Sequence, residues 1–295
     1  MGLDRRGGDG AACTVISLQR VATLDVAAAS GLVIVGDELV VVADDELGIS
    51  RYGLDGSPRG VLALFPGSLP DERSARKRAK PDLEALASLP DGRLLALGSG
   101  SAPARDRGAL VAGDEVREVD LEPLYSALRG RFDRLNVEGA CAVGEELVLL
   151  TRRTGRSGRN TLVRLDLRRA LEALDREQPR IDAGLLLAVQ EVELGYIAGT
   201  PLGFTDATAW RDGLVFAAAA EVTDDPIDDG ACVGCELGWF DRGGTVHHRE
   251  AIEPCVKIEG IAVAGGPEPR LFAVADADDR ANLAPLFTAA LPAWS

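Results

Sequence analysis

Four acidic residues recur along the chain in nearly the same short phrase. Glu259 stands in Lys257-Ile258-Glu259-Gly260-Ile261-Ala262-Val263, and Glu138 in Asn136-Val137-Glu138-Gly139-Ala140. Glu84 stands in Asp82-Leu83-Glu84-Ala85-Leu86, and Asp206 in Thr205-Asp206-Ala207-Thr208. A fifth phrase, Ala29-Ser30-Gly31-Leu32-Val33, keeps the shape and lacks the acid. Carboxylates brought within contact range cannot all remain ionised unaided: their pKa values rise, or a cation neutralises them. Hard oxygen donors around an irregular pocket suit Ca²⁺ better than zinc or a tightly octahedral Mg²⁺. The expected chemistry is therefore a calcium site ligated by Glu84, Glu138, Asp206 and Glu259. The competing expectation is that each acid bonds local backbone amides or pairs with Lys80, Arg134 or Lys257.

Such convergence requires elements that carry the four phrases to one place. The phrases recur at intervals of roughly 50 to 70 residues, the scale of a four-stranded propeller blade with elaborated loops. Each is followed by a turn signal, such as Pro90-Asp91-Gly92 or Arg211-Asp212-Gly213, and then by a second apolar run. Those runs, among them Leu39-Val40-Val41-Val42-Ala43, Leu147-Val148-Leu149-Leu150 and Leu214-Val215-Phe216-Ala217, read as strands buried on both faces. Weaker third and fourth strands complete four of the units. The fifth unit ends after its third strand, Pro285-Leu286-Phe287-Thr288, and the segment from Thr14 to Leu24 supplies the missing outer strand. The expected fold is all-β: a single domain over residues 1–295, a five-bladed β-propeller closed by an N-terminal strand, with six blades as the alternative. Glu122 to Phe132 and Leu167 to Glu177 have helical periodicity, while Asp71 to Lys80 reads as a charged loop.

In such a fold the first strands line a central channel, and the ends of the second strands return to the same rim. That rim collects Asp44 and Asp45, Ser99, Arg152 and Arg153, Glu221, and Asp276 with Asp278 and Asp279. Glu221, Asp276 or Asp44 would act as general base. Arg152 and Arg153, with Ser99 and Lys80, would hold an anionic group of a ligand. Arg156, Arg159 and Asn160 extend the basic loop.

The balance of 47 acidic against 32 basic residues argues against nucleic acid as a partner. Apolar runs fall well short of the roughly 18 residues a membrane span needs. The expectation is a monomer with a small anionic substrate or ligand. The N-terminus lacks an apolar signal region, which points to the cytoplasm, or to the periplasm or secretion if a signal was removed. Five cysteines, Cys13, Cys141, Cys232, Cys235 and Cys255, do not make a disulfide framework. Cys232-Val233-Gly234-Cys235 reads as a local disulfide or two free thiols, since adjacent His247 and His248 in a strand cannot both join a zinc site.

The phrases Asn136-Val137-Glu138-Gly139, Lys257-Ile258-Glu259-Gly260 and Asp82-Leu83-Glu84-Ala85 resemble the "D-x-E-G" blade openings of phytase-like and esterase-like β-propellers. A more distant likeness is to calcium-dependent lactonase propellers. The resemblance implies calcium in an acidic channel and hydrolysis of a phosphate ester, small ester or lactone. The chain lacks the abundant lysines that a phytate site would suggest. A non-enzymatic propeller that binds a ligand or protein, with calcium as a structural plug, is the alternative function.

Overall fold

The computed structural model describes residues 15–132, 134–152, 159–222, 230–276 and 282–294. The chain enters through β1 (Val15–Ser17) and β2 (Gln19–Thr23) and then builds its blades in order. Blade one is β3 (Ala29–Val35), β4 (Glu38–Ala43), β5 (Gly48–Gly53) and β6 (Pro58–Ala63). After α1 (Arg73–Ala79), blade two is β7 (Leu83–Ser88), β8 (Leu94–Gly98), β9 (Arg107–Ala112) and β10 (Glu115–Asp120). After α2 (Glu122–Arg129), blade three begins with β11 (Val137–Val143), β12 (Glu146–Thr151) and β13 (Asn160–Asp166). It ends, after α3 (Leu167–Leu174), with β14 (Leu186–Val192). The two-residue β15 (Tyr196–Ile197) precedes blade four, which comprises β16 (Thr200–Trp210), β17 (Gly213–Val222), β18 (Ala231–Asp241) and β19 (Val246–Glu253). Blade five is β20 (Ile258–Ala264), β21 (Arg270–Ala275) and β22 (Pro285–Ala290). The inner strands form a closed ring, β3 against β7, β7 against β11, β11 against β16, β16 against β20 and β20 back against β3. The protein is a five-bladed β-propeller.

Its core is distributed as one hydrophobic cluster per blade interface. The second strands show why their sequences are continuously apolar. In β8, Leu95 and Leu97 face blade three while Leu94 and Ala96 face blade one, so strand alternation serves two interfaces at once. Between blades three and four, Phe216 meets Phe204 edge-on and stacks on Phe240, with centroids 5.4 Å apart in both pairs. Each such pair adds about 0.5–1.5 kcal/mol beyond its buried area.

Closure uses the N-terminal segment twice. β2 pairs antiparallel with β22 and completes blade five, as expected, whereas β1 runs parallel to β19 and extends blade four. Leu18 N donates to Glu253 O (2.7 Å) at the crossing. The segment read as one outer strand thus joins the last two blades and covers both edges. The stretch from Asp71 to Lys80 departs from expectation: it is largely helix α1, not a loop. Glu72 caps it by accepting from Ser74 N (2.8 Å) and Ala75 N (2.7 Å). The helix buries none of its residues, so no apolar stripe betrayed it. No helix among the described residues is long and apolar enough to cross a membrane.

Candidate active site at the channel mouth

A single backbone device, repeated five times, creates the site. Each inner strand slips by one residue against its neighbour at the same depth. The extra residues are Ser30, Glu84, Glu138, Thr205 and Glu259. A bulge leaves one residue out of the ladder and re-aims its side chain, here toward the channel. Two residues earlier stand Ala28, Asp82, Asn136, Gly203 and Lys257. In four blades the carbonyl at that earlier station accepts from the residue just after the second strand. The bonds are Asp44 N to Ala28 O (3.1 Å), Ser99 N to Asp82 O (2.9 Å), Arg152 N to Asn136 O (2.9 Å) and Asp276 N to Lys257 O (3.2 Å). Equivalent backbone stations therefore present different chemistry in each blade, and charge concentrates on blades two, three and five.

Asp206 lies one residue past this ring, at the station of Gly31, Ala85, Gly139 and Gly260. The glycines there have a packing role. A Cβ at Gly139 would stand 3.0 Å from Ala207 N and Asp206 Cα, and one at Gly260 would stand 2.9 Å from Ser30 O. The Asp206 carboxylate is turned to backbone amides, accepting from Ile261 N of blade five (2.8 Å), from its own neighbour Ala207 N (2.7 Å) and from the Leu32 amide of blade one. Burial raises its pKa, with those amides pulling the other way. It ties three blades together beneath the mouth.

The remaining groups form two clusters. On blades one and two, Lys80, delivered by the C-terminus of α1, bonds Asp44 and lies 2.8 Å from Asp82. Asp82 also holds Arg105 (2.8 Å) and accepts from Ser99 Oγ (2.5 Å), which in turn contacts Ser101 Oγ (2.8 Å). Beside them Glu84 makes no hydrogen bond or ion pair among the described residues. Asp44, Asp82 and Glu84 each place a carboxylate oxygen within 4.8 Å of the others. On blades three to five, Arg152 bonds Glu221 and lies 3.9 Å from Glu138, which accepts from Asn136 Nδ2. Lys257 continues the chain at 3.7 Å from Glu221 and 2.9 Å from Glu259. Gly203 makes this possible: a Cβ there would sit 2.8 Å from Arg152 Cγ, so the missing side chain is the space through which Arg152 crosses to Glu221.

The electrostatics follow from that arrangement. Burial, then repulsion from Asp82, Asp44 and Glu138, raises Glu84 well above the ordinary carboxylate range, with Lys80 opposing. Glu138 is raised by burial against the pull of Arg152, and Glu259 by burial against Lys257 and Arg152. Asp44 is raised by burial, which outweighs Lys80. Burial alone would depress Lys80 and Arg152; their carboxylate neighbours more than reverse it, so both stay charged.

Of the residues singled out by sequence, Glu84, Glu138, Glu259, Asp44, Lys80, Ser99, Arg152 and Glu221 meet at the mouth. Asp276 reaches the same rim, half-buried, through its amide. Arg153, Arg156, Asp278 and Asp279 lie outside the described residues. Asn160 is buried and donates to Leu202 O (2.9 Å), Arg159 pairs with Glu191 on the exterior, and Arg134 is exposed. Sequence reasoning missed Asp82, Asn136 and Arg105 as site groups. For Asp82 and Asn136 the signal was present, since they occupy the first position of the same phrase whose third position is the glutamate.

A family model matches residues 25–291, nearly the whole chain. The chain belongs to a family of unknown function, DUF6929. A search of the curated proteins finds no match. Among solved structures, Myxococcus xanthus glutaminyl cyclase is similar at 14% identity, covering 95% of this chain and 100% of that one, with a TM-score of 0.51. A Parabacteroides distasonis protein with a provisional glycoside hydrolase description is similar at 12% identity, 94% and 97% coverage and a TM-score of 0.54. The tail fibre of Staphylococcus aureus phage P68 is similar at 10% identity, 93% and 53% coverage and a TM-score of 0.51. Likeness at these identities establishes the propeller and leaves function to the site.

Proposed function

We propose that the channel mouth is the reaction centre of a hydrolase for a small phosphoric or carboxylic ester, with a divalent cation, calcium, held by Asp44, Asp82 and Glu84. The observation that supports it is the convergence of these three carboxylates, one of which, Glu84, makes no hydrogen bond or ion pair among the described residues. The mouth is acidic on balance: Asp44, Asp82, Glu84, Glu138, Glu221, Glu259 and Asp276 outnumber Lys80, Arg105, Arg152 and Lys257. Hard oxygen donors suit Ca²⁺, and three protein ligands leave places for water and substrate. When bound, the cation polarises the ester and lowers the pKa of attached water.

The chain's own groups divide the remaining work. Lys80 and Arg152 would bind the anionic part of the substrate. Glu138, raised by burial, keeps its proton and delivers it to the leaving oxygen. Of the acids expected to act as general base, Asp44 would be taken up in holding the cation and Glu221, gripped by Arg152 and Lys257, is better suited to positioning, which leaves the role to Asp276 at the same rim.

One observation favours a second reading, a metal-free site that binds a polar ligand without turnover: Lys80 already bridges Asp44 and Asp82. Thermal unfolding with EDTA and with added Ca²⁺, for the wild type and for Glu84→Gln, separates the two. Calcium stabilisation that Glu84→Gln abolishes is the expected result. Absence of any calcium shift, together with no turnover of aryl phosphates, aryl esters and lactones, overturns the hydrolase reading in favour of the second.

A further inference from the structure

Three cysteines gather on the outer side of this mouth, and none is used above. Cys232 and Cys235 lie on β18. In a regular strand, residues three apart point to opposite faces. Here the β17–β18 register slips between Ala220 and Glu221: Gly234 opposes Ala220 and Cys232 opposes Glu221, so Val233 is the extra residue. The bulge returns both cysteines to one face. Their sulfurs stand 3.5 Å apart, and Cys255, on the link between β19 and β20, donates to Cys232 O (3.7 Å). Cys235 is buried, Cys232 half-buried and Cys255 exposed. The arrangement has an outer thiol reachable from solvent and an inner one held against it.

We propose that Cys232 and Cys235 form a redox-active dithiol that reduces hydroperoxides, with Cys232 as the attacking and Cys235 as the resolving thiol. The Cys232 sulfur attacks the peroxide, the O–O bond breaks, and Cys232 becomes a sulfenic acid as water or an alcohol leaves. Cys235 gives up its proton and attacks the Cys232 sulfur, and the sulfenic hydroxyl departs as water. Two thiols and one hydroperoxide yield a disulfide, one alcohol or water, and one water. The two sulfurs supply both electrons.

The protonation states suit these roles. The S–H of Cys235, ahead of opposing burial, holds the Cys232 thiol down to about 6. Cys235 is itself raised, by its bond to Cys232 and then by burial, and retains its proton. The other groups facing the pair are Glu221 across the strand, Glu259 of β20 and Cys255. Thiolate character and access decide which cysteine reacts.

The test treats the reduced full-length protein with equimolar hydrogen peroxide, followed by tryptic mapping. Residues 212–242 contain no Lys or Arg before Arg242, so Cys232 and Cys235 share a peptide that excludes Cys255. The expected result is loss of two hydrogens within that peptide, blocked by Cys232→Ser and retained in Cys255→Ser. Alkylation by iodoacetamide at pH 7 is expected to favour Cys232 over the more exposed Cys255 by about tenfold, after the lower nucleophilicity of an acidic thiol is allowed for. This readout does not depend on a folded Cys235 variant. Linkage of the Cys232 and Cys255 peptides, sulfinic acid at Cys232 without a disulfide, or stoichiometric zinc on the purified reduced protein each overturns the proposal.

Discussion

Glu84→Gln is the most direct probe of the mouth, because it removes a charge and almost no volume. The Asp44, Asp82 and Glu84 oxygens lie within 4.8 Å of one another. At an effective dielectric of about 20, two like charges at that separation repel by about 3.5 kcal/mol. Glu84 has two such neighbours, and Lys80 offsets roughly one, which leaves about 3.5 kcal/mol of net repulsion. Residual solvent contact at Glu84 reduces this to about 2–3 kcal/mol, and burial of the carboxylate, the leading cause of its raised pKa, acts in the same direction. The sign with pH follows from linkage. A carboxyl whose folded pKa is raised contributes its full stability below its unfolded value, near 4.3, and that contribution is lost as pH rises through the folded pKa. In metal-free buffer the glutamine variant is therefore expected to be more stable than the wild type at pH 8 by about 2–3 kcal/mol, roughly 5 °C in Tm for a domain of this size. The difference shrinks on acidification and vanishes below about pH 4.3. Urea unfolding of both proteins from pH 4 to 8 in EDTA measures it. A variant that is less stable at every pH, or a gain that does not change with pH, would mean that charge repulsion does not act on Glu84.

Arg152→Met leaves Glu138 and Glu221 buried without their shared cation, and is expected to cost about 3–5 kcal/mol at pH 7 by urea denaturation, less at pH 5. Gly203→Ala fills the space through which Arg152 passes, so its cost should largely disappear in an Arg152→Ala background, which removes the Cγ it would strike, a non-additivity that a double-mutant cycle reads directly. Gly139→Ala drives a methyl against Ala207 N and Asp206 Cα, backbone that cannot step aside, and is expected to cost about 1–3 kcal/mol. Truncation through Thr23 uncovers the outer edges of blades four and five together; size-exclusion chromatography is expected to show self-association, and a monomer with unchanged Tm would count against the closure described.

Much of the fold is readable in the amino-acid sequence because a propeller is built locally. Each blade is a run of neighbouring strands, and a second strand buried on both faces must be apolar throughout, as Leu94 to Leu97 and Leu147 to Leu150 are. Repetition of that pattern five times, with an incomplete last unit, was enough to expect five blades and closure by the N-terminus. Helix α1 escaped because it buries nothing and so has no periodic signature. The site was legible in its ingredients and not in its pairing. Glu84, Glu138 and Glu259 share a phrase because they share a bulge, but a bulge is a property of two strands in register. Nothing along one strand tells that Thr205, and not Asp206, occupies the equivalent station. That one-residue offset turns Asp206 from the mouth to the amides of three blades. The partners of the other acids were likewise settled in three dimensions. Lys80 arrives from a surface helix, and Arg152 reaches Glu221 only across the bare backbone of Gly203. That carboxylates meet at one rim follows from the repeat along the chain; which cation stands between which pair depends on the packed blades, because a buried charge is settled by the nearest group that can reach it.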